Sequence, residues 1–183
     1  MPYKRIGNTI YNKMKGNVMK KDRKLINEAR IRFKGVSLNE SFSRICVSGF
    51  VIGTAGSLGI SVTAEELADI KTSVSEAVTN CIVHGYKEKQ GDVSIHMRFF
   101  SDGELYIQIN DNGCGIEDVE KARMPLYTTD PDSDRCGMGF SIMESFMTKL
   151  KVSSRPGKGT RVTMTKQLSG REGAHGRKND GKH

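Results

Sequence analysis

The segment Val74-Ser-Glu-Ala-Val-Thr-Asn-Cys-Ile-Val-His-Gly-Tyr86 carries a carboxylate and a carboxamide on an otherwise largely apolar stretch. A helix through this segment places Glu76 and Asn80 one above the other on the same face, because they are four residues apart. Burying two polar groups is costly unless they have partners, so we expect this face to border a site for a polar ligand. Taken alone, the pair also fits a solvated glutamate and a locally capping asparagine.

Two later segments fit a nucleotide ligand. Asp111-Asn-Gly-Cys-Gly115 follows an alternating strand, where the Asp111 carboxylate would accept a hydrogen bond from an exocyclic amine such as adenine N6. A plain turn remains the alternative for this segment. In Arg135-Cys-Gly-Met-Gly-Phe140, glycines precede a helix, and free backbone N–H groups there favour anions, although the segment alone also fits an ordinary helix start. The order of the three segments predicts a nucleotide site without a Walker A or dinucleotide fingerprint sequence.

The charge of the chain is concentrated at its ends. Residues 1–24 hold eight basic side chains and one acidic side chain, and residues 168–183 hold four and two. Residues 25–167 are nearly balanced, with 17 basic and 18 acidic side chains, so we expect no nucleic-acid groove in the folded part. We predict one domain over residues 25–167, between a basic N-terminal extension and a basic Gly-rich tail that are both solvated and disordered.

Four cysteines without a CxxC spacing indicate reduced thiols in a cytosolic protein, not a zinc site or a disulfide framework. No apolar run approaches the roughly 20 residues that a membrane span needs.

Periodicity predicts the order of elements. A strand over residues 28–33 is followed by a helix from a capping box at Ser37–Glu40 to about Val51, and then by a glycine-rich break, Gly53–Gly59. The inner face predicted for this helix is Phe42, Ile45, Cys46 and Phe50.

A second capping box, Thr63–Glu66, opens a long helix to about His84. A hairpin is predicted next, with strands over residues 92–99 and 104–110. A short helix over residues 116–122 and an irregular stretch over 124–136 follow. A further helix starts near Gly139, and the last two strands cover residues 149–153 and 160–166. This order fits an α+β two-layer sandwich with one mixed or largely antiparallel sheet and helices on one face.

In this order, the segments resemble the N, G1, G2 and final glycine boxes of the GHKL (Bergerat) ATPase and kinase superfamily, the last box being Gly157-Lys-Gly-Thr160. The likeness is finer over residues 27–166. It extends to the family of sporulation anti-sigma-F factors, small serine kinases, on Asn39-Glu-Ser-Phe-Ser-Arg44, the segment from Ser75 to Tyr86, Pro125-Leu-Tyr-Thr-Thr129 and Gly137 to Met147.

The resemblance implies a role for each matching residue. Glu76 would be the catalytic base, Asn80 the Mg²⁺ ligand and Arg44 a partner contact, while Asp111 and Thr160 would read the adenine of ATP. The other nucleotide-binding residues implied are Gly113, Gly115, Thr129, Arg135, Gly137, Met138, Gly139 and Phe140.

The resemblance also implies a cytoplasmic homodimer that holds a sporulation sigma factor inactive and phosphorylates an anti-anti-sigma partner on serine. It implies no direct contact with nucleic acid. Three alternatives remain open: a sigma-B type antagonist, the ATP-binding half of a histidine kinase, and a binding module that uses ATP only to set its shape. The chain shows no helix pair with a phosphoacceptor histidine, which argues against the second, and the presence of both Glu76 and Asn80 argues against the third.

Overall fold

The computed structural model describes residues 23–87, 89–126 and 137–170. The predictions made for residues 1–22, for the tail from residue 171, and for Thr129, Arg135 and Cys136 lie outside the described residues.

One sheet of five strands forms a layer of the molecule, in the order β1-β2-β3-β5-β4. All four pairings are antiparallel, so the largely antiparallel alternative is the one observed. The strands are β1 (Leu25–Lys34), β2 (Asp92–Phe100), β3 (Glu104–Asn110), β4 (Lys149–Arg155) and β5 (Gly159–Gln167).

Side-chain alternation gives this sheet one apolar face and one polar face. In the central strands, Ile95 pairs with Ile109 and Ile107 pairs with Met164, and all four are almost fully buried. The neighbouring residues on the same strands, such as Gln108, lie on the opposite face and are polar. The helices pack on the apolar face, which confirms the predicted two-layer sandwich.

The helical layer consists of α1 (Leu38–Ser57), α2 (Ala64–Asn80), α3 (Val119–Ala122) and α4 (Gly139–Phe146). The central helix α2 packs against both α1 and α4. It runs directly into a π-helical turn, Cys81–Tyr86, where an unbroken α-helix was predicted. The short α3 begins at Val119, later than predicted, because Asp118 caps its start with Oδ1 accepting from Lys121 N at 2.9 Å. No helix in the described ranges is both long enough and apolar enough to span a bilayer.

The prediction for α1 was wrong in two respects. The helix continues through Gly53 and ends at Ser57, because packing along the helix outweighs the low helix propensity of glycine. The inner face is also different in part: Phe42 and Ile45 are 44% and 72% exposed, whereas Phe50 packs against the core as predicted and Cys46 is half-buried. The buried residues are Ser43, Val47, Val51, Thr54 and Ala55, whose small side chains let α1 approach its neighbours closely.

Only one of the two predicted capping boxes forms. Thr63 Oγ1 accepts from Glu66 N at 3.1 Å and Glu66 Oε2 accepts from Thr63 N at 2.9 Å, as predicted. Ser37 makes no side-chain cap bond because its backbone is already helical. The carboxylate of Glu40 bonds Arg44 and Ser75 instead. Glu40 thereby holds two side chains, Arg44 and Ser75, that belong to the candidate site.

Candidate functional site

Glu76 and Asn80 lie on adjacent turns of α2, and both are half-buried. Gly139, the first residue of α4, lies against both side chains. A Cβ built at Gly139 would be 2.9 Å from Glu76 Oε2 and 3.7 Å from Asn80 Oδ1. The missing side chain therefore lets the start of α4 approach the two polar groups. The packing of α4 on α2 brings together three of the predicted site residues.

The N-terminus of α4 adds backbone donors beside this pair. Gly137 has a φ of 61°, a left-handed conformation that favours glycine, and Met138 is 42% exposed. Phe140 packs against the hydrophobic core and fixes the first turn of the helix. A helix start carries partial positive charge on its free N–H groups, so this end of α4 suits a phosphate chain.

Asp111 and Thr160 form the second part of the site. Asp111 follows β3 and is only 5% exposed; its Oδ1 accepts from Gly113 N at 2.8 Å and from Thr160 N at 3.3 Å. Thr160 also accepts through its carbonyl from Asp111 N, at 3.0 Å. Burial raises the pKa of the Asp111 carboxyl, and the backbone donors act against that rise. The two residues predicted to recognise adenine are therefore direct neighbours.

Close backbone approach fixes the loop that follows Asp111. A Cβ at Gly113 would lie 2.1 Å from the carbonyl oxygen of Gly85, and one at Gly115 would lie 2.2 Å from that of Arg155. Cys114 N donates to the Gly85 carbonyl at 2.8 Å. The loop is thus pressed between the π-helical turn and the β4–β5 turn, and any side chain at position 113 or 115 would displace it.

Three contributors were missed from the sequence: Cys81, Gly85 and Tyr86. Cys81 is buried beside Asp111, and burial together with the negative charge of that carboxylate raises the pKa of its thiol well above the usual range. Because Cys81 directly follows Asn80, it links the two parts of the site. Tyr86 Oη accepts from the backbone N of Asn112 at 2.9 Å and donates to the Asp92 carbonyl at 2.6 Å. All three missed residues lie in the segment Val74–Tyr86, but no spacing rule connects them to β3.

Arg44 reaches from α1 to α2. It forms an ion pair with Glu40 and donates to Ser75 Oγ at 3.1 Å, and Ser75 Oγ donates to the same Glu40 carboxylate. Beside them lies a cavity of about 210 Å³ between α1 and α2. The predicted partner contact and the predicted catalytic carboxylate open on this one cavity, which is lined by Arg44, Ala68, Lys71, Thr72, Ser75 and Glu76.

The residues around Asn80 fit a magnesium ion that is bound mainly through phosphates. Within the described part of the chain, no group of three or more His, Cys, Asp or Glu side chains is placed to hold a metal. Asn80 offers a neutral amide oxygen, and the absent side chain of Gly139 leaves space beside it. Mg²⁺ keeps several waters and commonly takes one or two protein ligands together with substrate phosphates.

Comparison with known proteins identifies the family of the chain. Residues 54–166 match the model of the histidine kinase-like ATPase domain. The chain is 49% identical over 142 residues to an anti-sigma F factor from Thermoanaerobacter sp. (strain X514), covering 78% of this chain and 94% of that relative. It is 47% identical over 145 residues to an anti-sigma F factor from Clostridium acetobutylicum, covering 79% and 96%.

A solved structure agrees at the level of the fold. Full-length ShkA in complex with AMPPNP superposes with a TM-score of 0.50 at 14% identity, covering 74% of this chain and 31% of that chain. At this identity the likeness concerns the fold alone, in agreement with the two-layer architecture and with the match to the ATPase domain model. The chain shares nearly half of its aligned residues with the two anti-sigma F factors, and the alignments cover almost their whole length. It therefore belongs to the anti-sigma F factor family, whose members have a GHKL-type ATPase domain.

Proposed function

We propose that this protein is an ATP-dependent serine-protein kinase and an anti-sigma factor. In this account it sequesters the sporulation sigma-F factor and phosphorylates its anti-anti-sigma antagonist on serine. Membership of the family supports the anti-sigma function and a kinase-like ATPase fold. The observation that carries the enzymatic part is the position of Glu76 and Asn80 against Gly139, next to Cys81, which is buried beside Asp111.

ATP would bind across both parts of the site. The Asp111 carboxylate accepts from adenine N6, Thr160 supports that carboxylate, and Gly113 and Gly115 let the base approach the backbone. The phosphates lie at the N-terminus of α4, along Gly137, Met138, Gly139 and Phe140, with Thr129 and Arg135 as further contacts. Asn80 would hold Mg²⁺, which supplies charge neutralisation at the phosphates when it is bound.

Glu76 would act as the general base. The acceptor serine oxygen attacks the γ-phosphorus, a new O–P bond forms, and the bond from the γ-phosphorus to the β–γ bridging oxygen breaks, so that ADP leaves. The hydroxyl proton passes to Glu76, whose carboxylate lies beside the start of α4. The positive end of α4 stabilises the charge on the transferred group.

The proposal extends to partners and location. The kinase unit spans residues 25–167 and works in the cytoplasm as a homodimer without direct contact to nucleic acid. The polar face of the sheet, which the helices leave uncovered, is a surface available for assembly. Since the curated relatives are named anti-sigma F factors, they favour an F-type partner over the sigma-B alternative.

The direct test is transfer of the γ-phosphate from labelled ATP to a purified anti-anti-sigma partner, followed by identification of the phosphorylated residue. Labelled phosphoserine is the expected result. ATP-dependent capture of sigma-F without any transfer would contradict the kinase and leave a nucleotide-gated binding module. Capture of a sigma-B type factor in preference to sigma-F would contradict the choice of partner.

A further inference from the structure

The cavity between α1 and α2 extends along α2 as far as Glu76. Its floor consists of small side chains at Ala68, Thr72 and Ser75, which follow helical spacing on one face of α2. We call this cavity the acceptor groove and define it by its lining residues, Arg44, Ala68, Lys71, Thr72, Ser75 and Glu76. The small residues leave room for a peptide segment beside the helix.

Glu76 borders two different spaces. It lines the acceptor groove, which opens toward α1, and its Oε2 also lies beside Gly139 at the start of α4, where the phosphates are proposed to bind. An in-line transfer needs the attacking oxygen on the side of the γ-phosphate opposite the leaving group. A hydroxyl that arrives through the groove reaches Glu76 without crossing the phosphate site.

The two cationic side chains of the groove, Arg44 and Lys71, differ in their ion-pair partners. Arg44 is held by the Glu40 carboxylate within the same helix and by Ser75. Lys71 is exposed and makes no ion pair with any residue that the structure describes. Lys71 is therefore the cation that remains available for a carboxylate brought by another molecule.

We propose that the acceptor groove receives the serine-containing segment of the protein substrate, and that Lys71 binds a carboxylate on that segment. This inference rests on the proposed kinase function. Lys71 precedes Glu76 by five residues, about 7.5 Å along a helix axis. These two residues also lie about 140° apart around the helix, and an extended peptide advances about 3.3 Å per residue, so the acidic residue is expected a few positions from the phosphorylated serine. Lys71 is a specificity-determining residue in this account and takes no part in the proton transfer.

The test compares Lys71→Ala and Lys71→Glu with the wild type in steady-state transfer to the anti-anti-sigma partner. KM for the protein acceptor is expected to rise about threefold for Lys71→Ala and about tenfold for Lys71→Glu, in line with a partly exposed ion pair that is lost or reversed. Values of kcat and ATP affinity stay unchanged. Lys151→Glu is the matched control, since Lys151 is also exposed but lies on β4, away from the groove.

A charge swap separates recognition from a merely structural effect. An acceptor in which the acidic residue near the serine is replaced by lysine should regain a lower KM with Lys71→Glu than with the wild type. If the wild type transfers phosphate and Lys71→Glu has the same KM as Lys151→Glu, the inference is wrong while the kinase stands. If the wild type transfers none, the proposed function fails and the inference fails with it.

Discussion

Asp111 and Thr160 hold each other through two hydrogen bonds: Asp111 N donates to the Thr160 carbonyl at 3.0 Å, and Thr160 N donates to Asp111 Oδ1 at 3.3 Å. Oδ1 also accepts from Gly113 N, so this oxygen is committed to the protein backbone. The second carboxylate oxygen is therefore the one assigned to the adenine amine. The arrangement fixes the orientation of a buried carboxylate before any ligand binds.

Replacing Asp111 with asparagine should weaken ATP binding by about 1–3 kcal/mol, because an amide N–H₂ would face the adenine amine. The carbonyl oxygen of the asparagine can still accept the two backbone bonds, so the fold should persist. Isothermal titration with ATP measures the loss. Asp92→Asn is the control, since Asp92 pairs with Arg32 and Lys34 at the sheet edge. Equal ATP affinity in both variants would contradict the assignment of Asp111.

The raised pKa of Asp111 predicts a pH dependence of binding. The ionised carboxylate is needed to accept from adenine, so the advantage of the wild type over Asp111→Asn in ATP affinity should disappear as the pH falls. Because burial raises this pKa, the loss should occur above the usual Asp range near 3.8. Titrating both proteins between pH 4 and 8 cancels the protonation of ATP itself. A ratio that is constant across this range would count against the prediction.

Ionised Asp111 favours ATP binding, but because its pKa is raised, the same ionisation lowers the stability of the unliganded protein. The pKa in the folded state lies above that of the unfolded chain, so ionised Asp111 lowers the stability of the unliganded protein above the folded pKa. This cost disappears as the pH falls through that pKa. We therefore expect unliganded Asp111→Asn to be at least as stable as the wild type at pH 7 in chemical denaturation. A clearly destabilised variant would show that the backbone bonds need the charged carboxylate.

Gly139→Ala should impair catalysis. The new methyl group would lie 2.9 Å from Glu76 Oε2, so either the carboxylate or the start of α4 must move. A shift of about 1 Å at a reacting group costs about 10²-fold in rate. Single-turnover transfer measures this loss.

Gly53→Ala is the matched control for that variant. Position 53 lies inside α1 with no atom within 4 Å of a built Cβ, so alanine should stabilise the protein by about 0.5–1 kcal/mol and leave transfer unchanged. If the two alanine variants behave alike, the contact between Gly139 and Glu76 has no catalytic importance.

The N-terminal extension can be shortened, but the cut point matters. The Arg23 guanidinium lies 3.6 Å from the centroid of the Phe100 ring and pairs with Glu104. Lys24 N donates to Ser101 Oγ at 3.0 Å. Deleting residues 1–22 should preserve stability, whereas deleting residues 1–24 should cost about 0.5–1 kcal/mol. Thermal unfolding compares the two truncations, and identical midpoints would show that these contacts contribute nothing.

The sequence predicted the structure best in segments where a single periodicity, that of a strand or that of a helix, dominates. Alternation over residues 92–110 predicted the hairpin of β2 and β3, and spacing placed Glu76 and Asn80 on one helical face. It failed on α1, because two faces of that helix are apolar and only its packing against α2 decides which one is buried. Glu40 matched a capping box by position, yet Arg44 one turn further along the same helix and Ser75 on α2 are its actual partners.

The candidate site was likewise predictable in its local motifs but not in its tertiary contacts. Each motif could be recognised locally, but the contact between Gly139 and Glu76 depends on how α4 packs on α2. The proximity of Cys81 to Asp111 brings a π-helical turn to the end of a strand, and no local pattern predicts the π-helical turn. Such tertiary contacts turn a set of motifs into one site.

The most direct measurement is single-turnover phosphate transfer by Glu76→Gln, with ATP affinity measured on the same protein. Glu65→Gln is the control, since Glu65 is exposed in the first turn of the same helix. If Glu76 accepts the serine proton, Glu76→Gln should bind ATP like the wild type and lose about 10²–10⁴-fold in transfer rate, while Glu65→Gln stays active. Transfer by Glu76→Gln at a rate close to that of the wild type would contradict the central claim.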